Sequence, residues 1–134
     1  MRRFSVAVGL ALFLALGIVA CGGSSGSAGG GGSTISLGTS SFSGNTSVTI
    51  KAGEAVTFDD SSGGTHMLVT GSNGQFTAAT GTPSELSSAT GLPLQAGDTK
   101  TVTFATAGTY QITCTIHPSM QATITVTAAS GSGY

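Results

Sequence analysis

Charge is what this chain most lacks. Lys, Arg, Asp and Glu together make up 7% of its 134 residues, and the formal net charge is −1. No basic stretch is available to neutralise phosphates, which excludes a nucleic-acid binder. Tryptophan is absent, and there are two cysteines and two histidines. Two cysteines cannot build a disulfide framework, and a structural zinc site generally closes with more thiolates or imidazoles than these. Beyond the first twenty residues no window has a helical period. Glycine is plentiful at 22 residues. Yet no glycine run follows a strand and opens a helix, as a phosphate cradle requires.

The start of the chain reads as an export signal. Met1-Arg-Arg is a short basic lead, and residues 4–19 form an apolar run interrupted by small residues. That run is too short and wrongly flanked for a spanning helix, and it fits a secretory signal over residues 1–20. Ile18-Val-Ala-Cys21 resembles a bacterial lipobox, in which the cysteine is lipidated and becomes the new N-terminus. Firm anchoring requires more than one acyl chain on that residue. Residues 22–33 are almost wholly Gly and Ser and behave as a flexible coil. The expectation is an exported protein anchored to the bacterial cell membrane at Cys21, with a tether over residues 21–33. Its domain would face the periplasm or the cell exterior. Residues 128–134 read as a flexible tail. Once Arg2 and Arg3 are removed, Lys51 and Lys100 stand against five acidic residues.

The domain should occupy residues 34–127. Alternation of apolar and polar residues marks strands at 34–37, 48–50, 55–58, 66–70, 99–104, 109–114 and 121–127. Threonine and valine dominate them, and β-branched residues suit a pleated, half-buried surface. Lys51-Ala-Gly-Glu54 reads as the turn of a hairpin or short connection between the second and third strands. About seven or eight short strands with regular turn signals argue an all-β Greek-key β-sandwich. Residues 71–97 read as a long connection, with an edge strand around 75–77 and one helical turn within 84–89.

The chemistry gathers where two strands meet a loop, Cys114-Thr-Ile-His117-Pro-Ser-Met120. It holds a thiol, an imidazole and a thioether at Cys-x2-His-x2-Met. Two imidazoles with a thiolate in a plane, and a weak axial thioether, are the donors of a blue-copper centre. The second imidazole can come only from His66. Each residue also has an ordinary reading: Cys114 as a small buried hydrophobe, His66 as a satisfied strand-end histidine, Met120 as core filler. A cysteine nucleophile would need a base oriented by a third group, and nothing acidic lies nearby in sequence. Asp59 and Asp60 read as a solvated strand end. Tyr110 should fill the core and hydrogen-bond a backbone carbonyl, as a tyrosine corner does.

Together these segments resemble the cupredoxins, the small type 1 copper proteins of the plastocyanin, amicyanin and auracyanin group. Val48-Thr-Ile-Lys-Ala-Gly-Glu-Ala-Val-Thr-Phe58 is similar to the family's early strands. Gly97-Asp-Thr-Lys-Thr-Val-Thr-Phe104 and Gly108-Thr-Tyr-Gln-Ile-Thr-Cys114 are similar to its late ones. The ligand loop is close in pattern to the short loop of amicyanin. The resemblance implies one copper ion, with His66, Cys114 and His117 as equatorial ligands, both histidines binding through Nδ1, and Met120 as the axial ligand. Two positions depart from the pattern. The family commonly has Asn after its first histidine, where this chain has Met67; the Met67 backbone N–H can still reach the sulfur. Amicyanin-like loops have Pro two residues after the cysteine, where this chain has Ile116. A second hydrogen bond, from the Ile116 N–H to the sulfur, would raise the reduction potential.

The function implied is single-electron transfer by a membrane-tethered monomer, with donor and acceptor redox proteins met in transient encounters. Copper storage or delivery is the alternative. Delivery sites favour exposed Met or His clusters, which this sequence does not have. Enzymatic copper chemistry requires further histidine ligands, and only His66 and His117 exist.

Overall fold

The computed structural model describes residues 33–131. The signal, Cys21 and nearly all of the tether lie outside the described residues, as do residues 132–134.

Ten strands follow in order: β1 Ser33–Leu37, β2 Phe42–Ser43, β3 Ser47–Lys51, β4 Ala55–Asp59, β5 His66–Ser72, β6 Gln75–Phe76, β7 Leu92–Leu94, β8 Thr99–Thr103, β9 Gly108–Cys114 and β10 Gln121–Thr127. A 3-10 turn, Ser84–Leu86, is the one helical element among the described residues. The strands make two sheets. One runs β2-β1-β4-β8; the other runs β3-β10-β9-β5, with β6 and β7 both pairing β5. The all-β Greek-key sandwich read from the sequence is the fold that forms.

Period-two alternation explains why these residues are strands. In β3 and β4 every second side chain is buried. Val48 and Ile50 of one sheet, with Val56 and Phe58 of the other, sit at 3% exposure or less. Ile35, Leu68, Ile112 and Ile124 close the same core. Each fully buried aliphatic or aromatic side chain contributes roughly 1.5–3 kcal/mol. Tyr110 stacks at a tilt on Phe104, with ring centres 5.2 Å apart. Its hydroxyl donates to the Thr106 carbonyl at 2.8 Å, as a tyrosine corner does.

Three details differ from the sequence reading, and a fourth, the hairpin or short connection at Lys51–Glu54, resolves to the connection. Ser33, assigned to the tether, already belongs to β1, because it pairs in parallel with Val56. β3 and β4 are not a hairpin. β3 pairs β10, whereas β4 pairs β1 and β8, so the Lys51–Glu54 turn carries the chain from one sheet to the other. Alternation reveals which face is buried but not which neighbour is paired. The two-residue β2 is too short to show a period. β7, in the expected connection, is Leu92-Pro93-Leu94 on the outer side of β5. Proline cannot donate to a ladder, so it sits where one side is unpaired.

Candidate metal centre

Two adjacent strands bring the site together. β5 and β9 are antiparallel, with Leu68 opposite Cys114. His66, two residues earlier on β5, therefore lies beside the point where β9 ends and its loop begins. The Thr115 N–H donates to the Met67 carbonyl at 2.9 Å, which carries the pairing one step past the cysteine. The loop then turns back on itself. The Met120 N–H donates to the His117 carbonyl at 2.9 Å across His117-Pro118-Ser119-Met120. Proline at the second position of a four-residue turn has its φ preset for that shape.

The result is a compact cluster. Cys114 Sγ lies 3.8 Å from His66 Nδ1 and 3.8 Å from His117 Nδ1. One ligand atom from each of the three residues falls within 4.8 Å of the others. The imidazole rings are 5.1 Å apart, centre to centre, and tilted by 54°. Cys114 is a free, buried thiol. His66 is fully buried, whereas His117 is half-buried, beside Ile116 at 49% exposure. Met120 is buried in the core at the end of the loop.

Hydrogen bonding to the sulfur comes from β5. The Met67 N–H donates to Cys114 Sγ at 3.4 Å, as expected from the sequence. The Ile116 N–H does not join it: among the described residues, Met67 supplies the one backbone N–H on that sulfur. The reason for expecting a raised potential from Ile116 therefore falls away. Met67 is half-buried between fully buried His66 and Leu68, the alternation that turns it from the cluster.

The far side of His66 holds a residue that sequence reasoning misplaced. Asp60, read as part of a solvated strand end, is completely buried. Its backbone is pinned by Asp98 and Gly97, at 2.9 and 2.7 Å. Its Oδ1 accepts from the Ser62 hydroxyl at 2.9 Å. Its Oδ2 lies 3.8 Å from His66 Nε2. Neither of those two atoms has a hydrogen-bond partner, although both are buried. The His66 ring edge also rests against Gly64, where an added Cβ would lie 2.8 Å from Nε2. Only glycine leaves room for the ring there. Burial pushes the His66 pKa below the usual imidazole value; Asp60 pulls it up, His117 pushes it down, and the Gly38 backbone pulls it up. Burial prevails, so the ring is held neutral, the form that binds metal.

A sequence profile for copper-binding proteins of the plastocyanin/azurin family matches residues 34–127. The chain belongs to that family. Among solved structures it is similar to amicyanin from Paracoccus versutus, at 22% identity and a TM-score of 0.55, over 75% of this chain and 85% of that one. A mutant amicyanin in its reduced state is similar at 20% identity and a TM-score of 0.54, over 75% and 86% of the two chains. These likenesses show the fold. No curated protein sequence matches.

The donor set fits the family's metal. A thiol and two imidazole nitrogens converge from two strands and one loop, and no carboxylate enters the cluster. Soft thiolate with imidazole suits copper, and structural zinc sites generally close with four nitrogen and sulfur donors. This family member is thus a type 1 copper protein with His66, Cys114 and His117 positioned as ligands. Family membership implies electron transfer in general terms. Asp60 and Gly64 were not singled out in the sequence because no motif carries them. A buried acidic residue six places before His66 looks like any other charged strand end.

Proposed function

We propose that this protein is a one-electron carrier, held at the bacterial cell membrane by lipid on Cys21 and exchanging electrons with redox proteins in brief encounters. The observation that carries the reading is the cluster itself, with Cys114 Sγ at 3.8 Å from Nδ1 of both His66 and His117. Bound copper would supply a Cu(II)/Cu(I) couple. The chain's own residues do the rest. His66, Cys114 and His117 stand on a packed sheet that resists rearrangement. Met120, at the buried end of the loop, would offer its thioether to the metal. The Met67 N–H stabilises the thiolate by hydrogen bonding.

His117 is the half-exposed member of the cluster and the natural exit for an electron. Ile116, Pro118 and Ser119 around it are exposed and uncharged. A patch of that kind suits a weak contact of small area. Tethering through Cys21 raises the carrier's effective concentration beside membrane partners. The export signal, the Ile18-Val-Ala-Cys21 pattern and the Gly/Ser run support that placement.

The visible spectrum of the purified protein with one equivalent of Cu(II) tests the reading. The expected result is an intense red thiolate-to-copper band, bleached by ascorbate and lost in Cys114→Ala. A colourless protein would overturn it. The anchor is tested separately, by labelling growing cells with a fatty acid; label should follow the protein and disappear in Cys21→Ser.

A further inference from the structure

Thr113 is a polar residue with no place in the copper cluster, yet it is completely buried. It lies on β9 between Ile112 and Cys114, both of which face the core. Strand alternation turns Thr113 to the outer face of the sheet, where a threonine is ordinarily solvated. Here something covers it.

The cover is the turn between β5 and β6. Asn73 and Gly74 have φ of +51° and +74°, the left-handed pair that makes a tight two-residue hairpin. The Gly74 N–H donates to Thr113 Oγ1 at 3.0 Å. Thr113 Oγ1 donates in turn to the Met120 carbonyl at 2.9 Å. The direction is forced: an N–H can only donate, so the hydroxyl accepts there and sends its single proton to Met120. Two further contacts join the same turn to the ligand loop and to the first residue of β10. The Gln121 Nε2 donates to Asn73 Oδ1 at 2.7 Å. Gly74 also lies flush on Pro118; a Cβ at position 74 would come within 2.9 Å of the ring.

We propose that Thr113 is a positioning residue for the copper site. Its hydroxyl, capped by the Asn73–Gly74 turn, locks the backbone of Met120 and so fixes where the Met120 thioether stands relative to His66, Cys114 and His117. The proposal rests on the reading of Met120 as the axial ligand. Replacing the hydroxyl with a methyl leaves the buried Met120 carbonyl and the half-buried Gly74 N–H without this partner, a costly state that the loop relieves by shifting. A looser loop holds the thioether less firmly, which weakens its donation to Cu(II).

The test compares Thr113→Val, Thr113→Ser and Met120→Leu with the parent in the copper-loaded protein. The readouts are the Cu(II) electron paramagnetic resonance signal and the reduction potential, with the urea midpoint recorded alongside. The expected result is that Thr113→Val changes the resonance signal and moves the potential in the same direction as Met120→Leu, and that Thr113→Ser restores both. A Thr113→Val protein with a lower urea midpoint but parental signal and potential would overturn the proposal, reducing Thr113 to a structural strut. Met120→Leu separates the two ideas. If it leaves both readouts at parental values, the axial reading fails; if it changes them while Thr113→Val does not, the clamp alone fails. Should Thr113→Val not fold, Gly74→Ala presses on Pro118 with the hydroxyl kept. A changed resonance signal supports the clamp, and a parental one overturns it.

Discussion

Burial decides the protonation of His66, and a sign follows from it. The ring is fully buried, and the loss of water lowers its pKa despite the opposing pull of Asp60. In the unfolded chain the same imidazole titrates near 6.5. As pH falls below that value the unfolded chain takes up the proton first. The stability that neutral His66 gives the metal-free fold is therefore complete above about pH 6.5 and declines on acidification until the folded pKa is passed. Nuclear magnetic resonance of the metal-free protein should show the His66 ring titrating below 6.5. Asp60→Asn removes a group that raises the pKa, so its midpoint should lie lower still. A midpoint at or above 6.5 in the parent would mean that Asp60 outweighs burial. At this scale the sequence was half legible. Cys114, His117 and Met120 stand in one motif, and His66 follows from histidine scarcity. Asp60 and Thr113 act through distances of tertiary origin, 3.8 Å across a loop and 2.9 Å across a strand end, and spacing along the chain encodes neither.

Among the elements, β9 works at both ends. Cys114 closes it at the metal end, while Tyr110 anchors the other by donating to the Thr106 carbonyl and packing on Phe104. Four residues at roughly 3.4 Å each put these tasks about 14 Å apart. Tyr110→Phe keeps the ring and removes the hydrogen bond, which should cost about 1 kcal/mol. The expected outcome is a lower denaturation midpoint with the copper absorption band unchanged; a shifted band would mean that the corner and the metal site are coupled. The tyrosine's role was readable because it depends on local geometry four residues long. Pairing was not. β3 and β4 have the alternation of a hairpin, but their burial against opposite halves of one core sends them to different sheets. β7 was hidden for a related reason: proline argues against a strand until the unpaired outer side of β5 is known to receive it.

Taken whole, the molecule concentrates function at one end and has little charge with which to advertise it. Lys51 and Lys100 face five acidic residues, and one of those, Asp60, is buried. None of the charged residues lies in the loop from Cys114 to Met120 or in the Asn73–Gly74 turn packed on it. Ile116, the one exposed large hydrophobic among the described residues, stands beside His117. Encounters through this end gain little from long-range attraction and depend on covering apolar surface. Electrostatic steering accelerates association by roughly 10- to 1,000-fold and is screened by salt; this surface has no comparable field to lose. Electron self-exchange between oxidised and reduced copies is a suitable probe, because both partners present the same end. Its rate should change by less than about tenfold between low and high ionic strength, well short of strongly steered association. Ile116→Lys places a like charge on each partner at the contact. That variant should exchange more slowly than the parent and regain speed as salt is added. A parent rate that already rises steeply with salt would instead place the exchange contact away from His117, on a surface where the acidic residues repel.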